Sequence, residues 1–342
     1  MKNLNLFDKL VFVLNSLAAT ALLFSYLLPH VPPKTFPLLS VLSMGVPVLI
    51  ILNSLFLVYW LIRLKKQLLL SLIVLLLGYN YISVFVNFGN DIDEELEADL
   101  TLMSYNVRMF NAYNWTERTD IPEKITAFVK EKDPDVLSVQ EHYVGAAELS
   151  KIYPYKYVKL KGKNSEFGSA IFSKYPILKE HSVDFPHDGN NNAIYADVVI
   201  NNDTLRIFNV HFQSLNIKPG ISDLKNEDSK KLLGRIGHGF SLQQEQAEMM
   251  MREVDRSPYK TIIMGDFNNT SFSYIYDLVR QDGRFNDAFL TAGTGFGKSF
   301  KLNYFPLRID FLLIEKQMEI LEFEKYNVDF SDHFPVSTSI KL

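Results

Sequence analysis

The 342-residue chain contains no cysteine, which removes a disulfide framework, a thiolate metal site and a cysteine nucleophile from consideration. It has no excess of positive charge either, since 35 Lys and Arg stand against 39 Asp and Glu. A protein that coats nucleic acid through clustered cations is therefore excluded. So is an acidic disordered tail, because only 22% of residues are charged while 13% are aromatic. Charge is missing altogether from three stretches, residues 10–28, 36–62 and 68–88. Residues 1–97 hold six basic and six acidic side chains, which leaves 29 basic and 33 acidic for the remainder. The two parts of the chain differ in kind.

A spanning helix needs about 20 apolar residues, because the hydrocarbon core is about 30 Å thick and each residue rises about 1.5 Å. The three uncharged stretches predict transmembrane helices at about 10–28, 38–62 and 68–88, within an anchor of residues 1–90. Lys2 and Lys9 precede the first stretch as they would in a signal peptide. However, the chain continues Pro29-His30-Val31-Pro32-Pro33 without a small-residue cleavage site, and two more stretches follow. Positive charge marks the cytoplasmic side. Lys2 and Lys9 before the first span, and Arg63, Lys65 and Lys66 between the second and third, agree on one orientation. It places the protein in the inner membrane with its C-terminal part outside the cytoplasm. Residues 91–99 read as an acidic linker, ill matched to an anionic inner leaflet.

From residue 100 the texture is that of a single α/β domain running to residue 342. Eight runs, most of them rich in Val, Ile and Phe, read as strands, at 100–105, 136–140, 169–172, 193–200, 206–211, 261–265, 309–314 and 336–340. Helical spacing appears at 121–130 and 241–254. Polar residues gather where strands end: Ser104-Tyr105-Asn106, Val139-Gln140-Glu141, Asn209-Val210-His211, Met264-Gly265-Asp266-Phe267-Asn268 and Ser331-Asp332-His333. Arg308-Ile309-Asp310 places another acid at a strand start. One carboxylate after a strand is usually a turn former or a helix cap. Six clusters in one domain instead hold what metal-assisted phosphate hydrolysis requires. Glu141 and Asp332 offer hard oxygen ligands to a Mg²⁺-like ion. Asp266, His211 and His333 are the candidates for activating a water and protonating a leaving oxygen. Asn106 and Asn268 supply neutral donors to phosphate oxygens.

At these residues, and in this order, residues 101–342 resemble the endonuclease/exonuclease/phosphatase superfamily. These metal-dependent phosphoesterases include DNase I, abasic-site endonucleases, neutral sphingomyelinases and inositol-polyphosphate phosphatases. The resemblance implies a DNase I-like four-layer α/β sandwich over residues 100–342. It also implies that Asn106 is the first-motif Asn and Glu141 the principal ligand of Mg²⁺, with Mn²⁺ as the alternative ion. Asp266 and Asn268 are then the pair that positions water and phosphate. His211 is similar to the phosphate-side histidine of the DNase I and sphingomyelinase branches, Asp310 to the acid that orients the final histidine, His333, and Asp332 to a metal-side acid. Glu166 is a candidate partner for His211. Arg108 stands where many abasic-site enzymes carry an acid, which argues against that activity. His142 and Tyr143 stand where DNase-like relatives often place a DNA-contacting Arg. The expected function is hydrolysis of a phosphodiester, in nucleic acid or a lipid headgroup, by a membrane-anchored enzyme outside the cytoplasm. The alternative is a catalytically inactive membrane scaffold or receptor on the same fold, against which the complete set of polar residues speaks.

Two further signals count for less. Residues 292–299 fit a relaxed P-loop, but strand-like residues follow them where a P-loop opens a helix, so they predict a Gly-rich turn at the site rim. Residues 214–240 are polar and follow the His211 strand, which allows either a solvated helix and loop or a cover over the site. Met249, Met250 and Met251 read as helix core.

Overall fold

The computed structural model describes residues 4–89, 96–145, 148–162, 165–186, 191–215, 229–302 and 305–342. Most of the acidic linker therefore lies outside the described residues. The chain opens with helices α1 (Leu6–Ser25), α2 (Pro37–Val41), α3 (Val46–Ile62), α4 (Leu68–Leu77) and α5 (Tyr79–Ile82). By length and composition, Leu6–His30 and Pro37–Ile62 could each cross a membrane. Residues 68–88 are not one continuous helix. The ten residues of α4 rise only about 15 Å, and the chain breaks at Gly78. A Cβ there would lie 2.2 Å from the Tyr26 hydroxyl, which donates to the Val74 carbonyl at 2.8 Å. Beyond α5, Val86–Asn87 pairs with Gly295–Phe296 and joins the segment to the C-terminal domain.

Between α1, α3 and α4 a buried polar chain sets the register. Asn15 Nδ2 donates to Ser71 Oγ at 2.7 Å, Trp60 Nε1 donates to Asn15 Oδ1 at 2.9 Å, and Asn53 Nδ2 donates to the Ala18 carbonyl at 3.2 Å. Such bonds favour one helix arrangement among apolar surfaces that otherwise pack indifferently. Outward, Leu10, Leu14, Leu17, Leu55, Leu69 and Leu76 are exposed.

Among the described residues, twelve strands build the two main sheets: β1 (Leu100–Asn106), β2 (Val136–Tyr143), β3 (Tyr155–Leu160), β4 (Phe167–Ser173), β5 (Ile177–Asp184), β6 (Asn192–Ile200), β7 (Asp203–His211), β8 (Lys260–Asp266), β9 (Phe285–Asp287), β10 (Asp310–Glu315), β11 (Glu319–Lys325) and β12 (Val336–Lys341). They form two six-stranded sheets, ordered β11-β12-β1-β2-β4-β3 and β9-β10-β8-β7-β6-β5. Central strands such as β6 are buried almost throughout, because both faces are covered and each is apolar. Each sheet has one parallel pair, β1 with β2 and β7 with β8. The crossovers carry α6 (Ile121–Lys132) and α7 (Ser229–Asp255), and α8 (Tyr274–Arg280) follows β8.

Three apolar clusters define the layers. Leu102, Ile171, Ile194, Ile207, Ile262 and Leu312 fill the space between the sheets. Ile121, Ile125 and Val129 of α6 pack on Met103 and Leu137 outside the first sheet. Met250, Val254 and Ile275 of α7 and α8 cover Phe208, Ile263 and Phe311 outside the second. The result is the expected four-layer α/β sandwich. The third cluster also contains Leu22, Val46, Ile50 and Val74, so the N-terminal helices and the sandwich share one core. Polar contacts reinforce the seam: Lys34 Nζ lies 2.6 Å from Glu248 Oε2, and Ser241 Oγ donates to the Pro33 carbonyl at 3.0 Å.

Candidate active site

Parallel pairing explains why polar residues from distant parts of the chain meet. The C-terminal ends of β1, β2, β7 and β8 lie at one edge of the sandwich, where Asn106 faces Gln140, and His211 and Asp310 both pair in register with Asp266. His333 arrives just before β12 and is held by a bridge to Phe300. Gln140 ties the two sheets together beneath this edge, donating to Asn209 Oδ1 at 2.8 Å, while Asn209 donates to the carbonyls of Val139 and Ala170.

Local backbone chemistry aims the side chains. A bulge between Val139 and His142 in the β2–β4 ladder coincides with Glu141 at φ +53°, and such bulges re-aim a side chain at a sheet rim. Glu141 lines the pocket, whereas His142 is buried between the rings of Phe110 and Phe172. Burial pushes His142 down to about 4, so it is an uncharged core residue. Gly265 has φ +143°, and a Cβ there would lie 2.1 Å from the Val210 carbonyl oxygen, so only glycine lets β7 and β8 approach at this point. Arg108, Met109, Phe110 and Asn111 are all left-handed, a conformation costing about 1–2 kcal/mol per residue. Burial of Phe110 and the bonds from Asn111 Nδ2 to the carbonyls of Thr116 and Arg118 offset that cost.

Asp266 is the hub. Its Oδ1 accepts from the Asn268 backbone N–H at 2.8 Å, and its Oδ2 accepts from Asn106 Nδ2 at 3.0 Å and Asn268 Nδ2 at 3.3 Å. His333 Nε2 lies 3.6 Å and His211 Nε2 3.8 Å from the same Oδ2. Burial raises the Asp266 carboxyl well above the usual carboxylate range, against the opposing pull of His333. His333 Nδ1 sits 2.9 Å from Asp310 Oδ2. Burial disfavours its charge, but Asp310 and Asp266 outweigh that and hold the imidazole protonated. Ser299 fixes Asp310 in turn, since its Oγ accepts from the Ile309 and Asp310 N–H groups at 3.0 Å. The P-loop-like segment thus serves as a brace. Phe300–Leu302 continues it as a strand, as expected.

His211 is the opposite case. Burial, then Lys161 and His333, hold it far below its ordinary value and therefore neutral. The atom beside its Nδ1 is Lys161 Nζ at 3.4 Å. Lys161 therefore occupies the place beside His211 for which Glu166 was the candidate. An ammonium can only donate, so Nδ1 accepts and the ring proton sits on Nε2, facing Glu141 at 3.9 Å and Asp266.

Glu141 and Asp332 line one cavity of about 290 Å³ together with Asp266, Asn268 and His333. Burial and then repulsion from Asp332 raise the Glu141 carboxyl. Two hard oxygen donors left in mutual repulsion over a cavity form a donor set suited to Mg²⁺. Arg108 partly screens Asp332, with Nη1 3.2 Å from Oδ2, and stacks on Trp115. Asp266, Asp310 and His333 also bring ligand atoms within 4.8 Å of one another, but there the imidazolium already supplies the positive charge. Ser214 and Leu215 line the cavity, while residues 216–228 of the candidate cover lie outside the described residues.

A family model described as the endonuclease/exonuclease/phosphatase family matches residues 103–333. The chain belongs to the endonuclease/exonuclease/phosphatase family. A second model, a domain of unknown function (DUF8431), matches residues 8–85, so the N-terminal helices form a recurring unit of their own. No curated protein matches the chain. Solved structures similar to it include an endonuclease/exonuclease/phosphatase from Bacteroides vulgatus, with TM-score 0.57, 16% identity, and 71% of this chain and 98% of that one covered. Another is a mannosyl-6-phosphatase from Bacteroides thetaiotaomicron, with TM-score 0.54, 16% identity, and coverage of 71% and 100%. A third is a beta toxin variant from Staphylococcus aureus with bound magnesium ions, with TM-score 0.52, 21% identity, and coverage of 70% and 99%. At these identities the structures establish the fold.

Proposed function

We propose that this family member is a membrane-anchored, Mg²⁺-dependent phosphoesterase whose catalytic domain faces away from the cytoplasm. The observation that carries the reading is the convergence of Asn106, Asn268, His211 and His333 on Asp266 Oδ2, with Glu141 and Asp332 on the same cavity. Glu141 and Asp332 would hold the ion, which when bound neutralises phosphoryl oxygens. Asp266, whose carboxyl is raised by burial, takes the proton from water. The water oxygen bonds to phosphorus, the bond from phosphorus to the leaving oxygen breaks, and His333 returns a proton to that oxygen. His211, with its proton on Nε2, donates to a phosphoryl oxygen. Asn106 and Asn268 keep Asp266 in place.

Membrane anchorage is supported by the two long apolar helices and by the outward Leu residues of the bundle. The orientation rests on the basic end, where Arg63 pairs with Asp8 at 3.0 Å and Lys65 and Lys66 follow, opposite the end that meets the sandwich. The full chain should be purified in detergent and offered bis-p-nitrophenyl phosphate and p-nitrophenyl phosphate. Turnover with Mg²⁺ should fall at least about a hundred-fold on chelation and return with Mg²⁺ or Mn²⁺, as a contribution of several kcal/mol requires. No metal-dependent turnover at any pH would leave the inactive scaffold. In the same cells, a periplasm-dependent reporter fused after Leu342 should be active, and activity only of a cytoplasm-dependent one would reverse the orientation.

A further inference from the structure

The cavity over Glu141 has two unlike walls. One carries the charged and amide groups already described. The other consists of Met44, Leu215, Phe300, Leu307 and Ile309. Met44 does not belong to the sandwich. It lies in the turn Leu42–Gly45 that joins α2 to α3, within the second uncharged stretch. Val41 and Met44 pack against Leu215, Ile236 and Phe240, which fixes the turn on the start of α7. On its other side the same segment exposes Leu38, Leu39 and Leu42. One short segment therefore carries exposed leucines on α2 and, at Met44, an apolar wall of the cavity.

We propose that the anchor is a working wall of the active site: Met44, with Leu215 and Leu307, forms an apolar subsite for the alkyl part of an amphiphilic phosphoester that resides in the bilayer. The inference rests on the phosphoesterase reading and names its substrate class. Three observations support it. The cavity holds about 290 Å³, roughly ten water volumes, which exceeds what a phosphoryl group needs. The cavity wall formed by Met44, Leu215, Phe300, Leu307 and Ile309 is apolar, whereas a nucleic-acid strand is gripped through Lys and Arg. The exposed Leu38, Leu39 and Leu42 lie on the same short segment as the cavity-lining Met44, which continues into α3, so a lipid held against that segment would have an apolar route to the cavity.

The test uses the full chain in phosphatidylcholine nanodiscs and p-nitrophenyl phosphodiesters whose second ester is methyl, butyl, octyl or hexadecyl. In the wild-type chain kcat/KM should rise about four-fold per methylene over the first few carbons, as burial of each methylene predicts. It should hold at hexadecyl, an ester confined to the bilayer. Partitioning into the disc raises the rates of long esters in any variant, so the decisive quantity is the octyl-to-methyl ratio. Met44→Glu should lower that ratio at least ten-fold and Met44→Leu should restore it. Should Met44→Glu fail to accumulate, Met44→Ser, which only removes apolar area, gives the same readout. A flat series, a ratio unchanged in Met44→Glu or Met44→Ser, or loss of activity at hexadecyl overturns the proposal while leaving the phosphoesterase reading intact. No turnover of even the methyl ester with Mg²⁺ overturns both.

Discussion

Glu141→Gln should lower kcat/KM by at least about a thousand-fold and raise the Mg²⁺ concentration needed for half-activity, since the carboxylate supplies a metal contact worth several kcal/mol. The fold should not suffer. Burial and Asp332 both act against the Glu141 charge, so the uncharged isostere relieves repulsion and the metal-free Tm should stay level or rise. In the wild type, Mg²⁺ should raise Tm by mass action on the native state, and Glu141→Gln should lose most of that increment. Near-normal turnover with unchanged Mg²⁺ dependence would remove Glu141 from the metal. A large fall in metal-free Tm would instead make its role structural.

His333→Ala should cost at least about a hundred-fold in kcat, the usual worth of one acid–base group, and His211→Ala a comparable amount. Asp310→Asn should cost less, because the imidazole remains but loses the partner 2.9 Å away. The double variant His333→Ala, Asp310→Asn should be no slower than His333→Ala alone, because groups that act as a unit are not additive. A pH profile separates positioning from bulk effects. Asp310 is among the carboxylates that hold the His333 proton, so Asp310→Asn lowers the imidazole pKa and should move the alkaline limb of the rate profile to lower pH. Multiplicative losses with an unmoved limb would show that Asp310 works elsewhere.

The eight strands expected from the sequence are the eight inner strands of the two sheets. The four that were missed, β3, β5, β9 and β11, are the four edges. Most inner strands are buried on both faces, as β6 is, and read as apolar runs. An edge strand such as β5, with Lys179, Glu180 and His181, or β11, with Glu319, Glu322 and Glu324, carries the charge that discourages pairing with another chain. The polar clusters of the candidate site were legible for a related reason, since polar residues interrupting inner strands contrast with their surroundings. Lys161 was not, because it lies just past the end of edge strand β3 among other lysines. Arg108 was noted only as a departure from the family pattern, and its pairing with Asp332 depends on a run of left-handed residues that no local signal announces. Met44 was hidden best of all. In an uncharged run, a residue facing a catalytic cavity and one facing lipid have the same composition, and only the turn Leu42–Gly45, made without a proline or a charge, separates them.

For the membrane-anchored enzyme proposed above, the core shared by Leu22, Val46, Ile50 and Val74 with the second sheet would govern how it searches. A head on a slack tether samples a hemisphere and meets whatever dissolves within its radius. On the proposed reading, the shared core joins the site edge to the bundle, so the edge would be carried with the bundle as it drifts sideways in a bilayer. Encounters then scale with molecules per unit area of membrane and are indifferent to the volume of fluid above it.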